Sequence, residues 1–186
     1  MDELVCIREA EAHARIPGGR FIFSLDWEYP VDLDLAALLV PRGADPIRLV
    51  YRGDTGARQG PPWAKLTQSI KGRGRAKHRR ERIVVTAAEP YAAIHLFAWD
   101  HDAVATGGES DFSGSPESYE LSIIDSTNGV TRILGREHPG QNCVSLVSLS
   151  GDGELTRTDA ASRMRSPECQ LEALLEMLSM EDVQCR

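Results

Sequence analysis

Asp32 and Asp34, in the stretch VDLDLAALLV, are two carboxylates whose type and spacing could do chemistry. Residues two apart on a pleated backbone project to the same side. Two carboxylates side by side repel each other and want a cation, a positive side chain or open water. The plain reading is a solvated strand end. The sharper one is half of an oxygen-ligand site for a hard divalent metal.

A second stretch carries the opposite charge. KGRGRAKHRRER, Lys71–Arg82, sets Lys71, Arg73, Arg75, Lys77, Arg79, Arg80 and Arg82 against the single acid Glu81. Arginine interleaved with glycine resembles segments that order on nucleic acid or another polyanion. Phosphate binding by so many cations would weaken steeply with salt. No aromatic interleaves the run, however, and Trp63 is the nearest. A solvated charge run is the structural alternative.

Other chemistry has less to stand on. His13, His78, His95, His101 and His138 lack HxxxH or HExxH spacing for zinc. His101, in WDHD at a strand end, reads as a structural or surface histidine. Ser110 has no GxSxG context, and no phosphate-binding GxxxxGK[ST] occurs.

The elements that must position these residues are strands. Phe21, Phe23, Leu25 and Trp27 alternate with polar residues, and after Pro30 the alternation resumes at Leu33, Leu35, Ala37 and Leu39. Eight or nine such runs with turn signals between them predict an all-β chain, a β-sandwich of two mostly antiparallel sheets. Its expected core holds Phe21, Phe23, Leu25, Leu33, Leu35, Ile94, Leu96, Leu121, Ile123 and Leu146. Arg52–Lys77 and Asp100–Pro116 read as long polar loops. The sandwich is expected to span residues 1–157. Residues 158–186 read as a linker and a C-terminal amphipathic helix. Ser166-Pro167-Glu168 would start that helix, and Leu171, Leu174, Leu175 and Leu178 would form one stripe docked on the domain or on a partner.

Composition narrows the classes. A 186-residue chain with 41% hydrophobic residues can bury one proper core, and a net charge of −7 argues against a surface built wholly for nucleic acid. No run of 18 apolar residues exists, which predicts no membrane span, and the acidic N-terminus lacks a secretory apolar stretch. Cys6, Cys143, Cys169 and Cys185 are scattered and read as reduced thiols of a cytoplasmic protein.

In sequence order these motifs resemble the TerD-type tellurium-resistance and bacterial stress-response family. VDLDLAALLV is similar to its "[FV]DLDASAFLL" signature, and FSLDW echoes the "GLSWD" strand before it. HRRERIVV stands where the family has "GDDExIxV", AIHLFAWDHDA where it has a strand ending in "IHDA", and SYELSIIDSTNG where it has "AFIRLVNxxNG". The resemblance covers roughly residues 20–155. It implies a calcium-binding β-sandwich without established catalysis, and calcium as the cofactor.

One part of the pattern is replaced. The family's acid-rich "GDNxTGxGxGDDE" loop corresponds to Lys71–Arg82, where Arg79 and Arg80 stand in place of two Asp and Glu81 matches the closing Glu. Cations in a coordinating loop oppose calcium, which takes six to eight oxygens. Asp32 and Asp34 would keep it only with help from loop carbonyls or Asp54. The alternative is a guanidinium forked onto the aspartate pair. The expectation is therefore a non-enzymatic stress-response binding or scaffold protein, monomer or homodimer, with a degenerate calcium site facing a basic loop and an unidentified protein partner. The alternative is a nucleic-acid or polyanion-binding module using Lys71–Arg82.

Overall fold

The computed structural model describes residues 4–7, 13–28, 31–70, 78–110, 119–158, 160–164 and 170–184. Two sheets face each other. The first runs β1 (Leu4–Ile7), β11 (Val130–Leu134), β10 (Tyr119–Ile124), β3 (Phe21–Glu28), β8 (His78–Val85), β7 (Ala64–Ile70) and β6 (Gly56–Ala57). The second runs β2 (His13–Arg15), β13 (Glu154–Arg157), β12 (Cys143–Ser150), β9 (Tyr91–Asp100), β4 (Leu33–Pro41) and β5 (Arg48–Val50), with β14 (Ala161–Ser162) also on β12. Pairing is antiparallel except between β1 and β11.

The alternation in β3 decides its facing. Phe21, Phe23, Leu25 and Trp27 enter the core between the sheets, while Asp26 and Glu28 stay on the other side. All ten core residues expected from the sequence are buried there. β4 behaves differently, because it is buried on both faces from Leu33 to Leu39. Leu33, Leu35, Ala37 and Leu39 join the inter-sheet core. Ala36 and Leu38 point away from it, into a second cluster with Phe97, Trp99, Val104, Leu174 and Met177. A near-continuous apolar run is what a strand covered on both sides requires.

The cover on that outer face is helical. α1 (His101–Thr106) follows β9 directly. Asp100 caps it by accepting from the amides of Asp102 and Ala103, and Gly107 closes it at φ 66°, where a Cβ would be strained. α2 (Gln170–Gln184) packs on the same face through Leu174 and Met177. The docked helix thus covers the sandwich of its own chain.

Several sequence expectations are corrected. Fourteen strands, not eight or nine, occur among the described residues. Arg52–Lys77 is not one loop: β6 and all of β7 lie in it, and β7 pairs with β8 from Ala64↔Val85 to Ile70↔Arg80. Only Ala64 and Leu66 of its first residues are buried, so the apolar signal was two residues long. Asp100–Pro116 contains α1, and the linker contains β14. The stripe on α2 is rotated, with Leu171 38% exposed and Met177 buried in its stead. The expected helix start at Ser166-Pro167-Glu168 lies outside the described residues, as do Lys71–Lys77. No helix of the described residues is long and apolar enough to cross a membrane.

Candidate functional site at the sandwich mouth

Four strand ends meet at one end of the sandwich. Register places Trp27 of β3 opposite Arg79 of β8, and Leu33 and Asp34 of β4 opposite Asp100 and Trp99 of β9. Asp32 lies just before β4, and its carbonyl accepts from the His101 amide at 2.8 Å. This backbone bond ties the start of β4 to the start of α1. The aspartate pair is therefore fixed at the rim.

β8 divides its charges by alternation. Arg79 and Glu81 project to the inner side, while Arg80 and Arg82 lie on the outer face beside β3. Arg79 Nη1 donates to Asp32 Oδ1 at 2.7 Å, with the two side chains 23% and 15% exposed. Arg80 Nε donates to Asp26 Oδ1, its cross-strand neighbour. Arg82 Nε reaches Ser24 Oγ at 3.4 Å. Three of the seven cations in the basic run are thus engaged by their own chain. The other four, Lys71, Arg73, Arg75 and Lys77, lie outside the described residues. The Arg80–Asp26 pair is half in water, so Arg80→Ala should change stability by less than about 1 kcal/mol in urea unfolding.

Asp34 has different partners. It is 4% exposed. Its Oδ2 accepts from Trp99 Nε1 at 3.2 Å and pairs with His101 Nδ1 at 2.9 Å. Arg52 Nη1 stands 3.7 Å from Oδ1. The two aspartates therefore do not share one counter-charge. Asp32 takes an arginine from the opposite sheet, and Asp34 takes a histidine, an indole and a more distant arginine.

Glu81 is the third carboxylate of the mouth. It reaches across the sandwich and accepts from the Leu35 amide at 2.7 Å. β5 pairs with β4 only at Ala37–Leu39, so it does not extend to Leu35. Glu81 supplies that amide with an acceptor. Burial pushes its pKa from 4.5 up to about 7; the Leu35 hydrogen bond and Arg52 oppose the rise, and Asp34 and Asp32 add to it.

Asp32, Asp34 and Glu81, the three carboxylates of the mouth, each accept from a donor of their own chain. No group of three or more His, Cys, Asp or Glu side chains among the described residues is arranged to hold a metal. Asp54, the expected third ligand, serves a turn instead: its Oδ1 accepts from the Gly56 amide and its carbonyl from the Tyr51 amide. Asp32 and Asp34 already face cationic or N–H donors. Ser110 is held by Asp100 at 2.6 Å, which gives it a structural role beside α1.

Asp32, Asp34 and Arg79 are the sequence-derived candidates that the fold assembles. Arg52, Trp99 and His101 complete the group, although His101 reads from the sequence as a structural or surface histidine. The only signal was WDHD at a strand end. What it lacked was the β4–β9 register that sets Trp99 opposite Asp34.

No family model and no curated protein matches the chain. Among solved structures, the crystal structure of an unknown-function protein, SAV2460, is similar, with a TM-score of 0.51 at 16% identity over 80% of this chain and 91% of that one. At that identity the likeness shows a shared fold.

Proposed function

We propose that the chain is a TerD-like β-sandwich that works as a non-enzymatic binding or scaffold module, in which internal ion pairs take the place of a calcium cage. The observation that carries this reading is the Arg79–Asp32 contact at 2.7 Å. Arg79 is one of the two residues standing where the resembled family has aspartates. Its guanidinium sits on a carboxylate of the DLD motif, where an ion would otherwise be held. The stress-response role follows from the resemblance alone.

A calorimetric titration with calcium tests the reading. The expected result is no heat of binding at millimolar calcium and no change in melting temperature with either calcium or chelator. A ligand present at about 100 times its Kd would add about 2.7 kcal/mol of stability, which such a measurement would register. A calcium-dependent rise that Asp32→Asn with Asp34→Asn removes would overturn the reading.

A further inference from the structure

A cleft of about 240 Å³ opens beside Asp34, lined by Tyr51, Arg52, Trp99, His101 and Val104 among others. Clefts for drug-sized ligands run to about 300–1,000 Å³, so an occupant here is smaller. The walls are mostly apolar, and the Tyr51 and Trp99 rings lie 6.1 Å apart and tilted by 58°. Apolar walls with a few convergent polar groups are the usual form of a small-molecule site.

We propose that this cleft binds a small hydroxylated aromatic carboxylate. Arg52 would hold the carboxylate, His101 would accept from the hydroxyl, and the ring would lie against Tyr51, Trp99 and Val104. The proposal rests on the reading of Asp34 as a carboxylate held by the chain's own donors.

Each assignment follows from the contacts. His101 Nδ1 lies 2.9 Å from Asp34 Oδ2, and in the tautomer that donates this proton to the carboxylate Nε2 is an acceptor. An acceptor in a cleft wants a hydroxyl or N–H from the ligand. Arg52 Nη1, at 3.7 Å from Asp34 Oδ1, is within ion-pair range but beyond hydrogen-bond range. That ion pair uses none of the guanidinium N–H groups in a hydrogen bond to Asp34. A half-exposed guanidinium matches a carboxylate with two parallel N–H donors. Both groups reach the same Asp34 side chain, which puts them within the span of one substituted ring. A cationic occupant would meet Arg52 at the rim and find Asp34 already enclosed by donors.

The test is calorimetry on the full chain in calcium-free buffer, with meta-hydroxybenzoate, benzoate and phenol as probes. The expected Kd for meta-hydroxybenzoate is about a millimolar or tighter, ordinary for so small a ligand. Benzoate, without the hydroxyl, should bind at least about threefold more weakly, and phenol, without the carboxylate, about tenfold. Arg52→Gln should weaken meta-hydroxybenzoate at least about tenfold, and His101→Gln should bring it to the benzoate level. Melting curves confirm that each variant is folded. No heat from meta-hydroxybenzoate at about 10 mM, or equal affinity in folded Arg52→Gln, would overturn the proposal. Calcium binding at Asp34 would instead sink the reading of the mouth on which it rests, so the two failures are told apart.

Discussion

Glu81→Gln should flatten the pH dependence of stability and make the protein more stable above neutrality than it is with the native residue. Glu81 is 4% exposed, and its pKa in the fold is about 7 against 4.5 in the unfolded chain. Between those values the folded chain holds a proton that the unfolded chain has released. Stability therefore falls as pH rises from 4.5 towards 7, then levels off. A displacement of that size corresponds to something on the order of 3 kcal/mol. Glutamine keeps an oxygen for the Leu35 amide and carries no charge at any pH. Urea unfolding from about pH 4.5 to pH 8 should show the variant gaining on the native chain by about that amount. Parallel profiles for the two proteins would show that Glu81 titrates in the fold as it does in the unfolded chain, with no upward displacement.

Leu174→Ala should cost about 2–5 kcal/mol, because the side chain is fully buried in the cluster beneath α2. Its neighbour in the sequence stripe should behave otherwise. Leu171 is 38% exposed, and Leu171→Ala should stay within about 0.5 kcal/mol. Thermal unfolding of both variants checks the contrast. Equal effects would mean that α2 docks through the face its leucine spacing suggested rather than the one carrying Met177.

Those leucines show what the sequence holds and what it does not. A four-leucine stripe is enough to say that a helix docks, since about four turns of helix are marginal alone in water. It does not say which side of the stripe faces the sheet, which depends on the relief made by Phe97, Trp99 and Cys143 on β9 and β12. The inner cores of β3 and β4 were legible for a simpler reason: period-two alternation is a local property. β7 was not, because an edge-side strand with Ala64 and Leu66 buried and Lys65 exposed has little to alternate.

The mouth was half legible. Asp32 and the basic run announce themselves by charge, and the substitution of Arg79 for an expected acid suggests that they meet. The division of labour between the aspartates was hidden. The start of β4 lies at Leu33, so the alternation linking Asp34 to its strand neighbours does not extend to Asp32. Asp32 then turns to Arg79, while Asp34 remains with Trp99 and His101. The long pairing of β4 with β9 brings residues over 60 positions apart into contact, and nothing local encodes it.

If the chain's own charges take the place of an ion, the Arg79–Asp32 pair is a working brace rather than a chance contact at a rim. A double-mutant cycle with Arg79→Met and Asp32→Asn measures it directly, because the cycle removes the contributions each side chain makes to its other neighbours. The pair is mostly out of water, so a coupling energy of about 1–3 kcal/mol is expected from urea unfolding of the four proteins. Effects that add to within about 0.3 kcal/mol would contradict the account, since the arginine would then not be holding the aspartate.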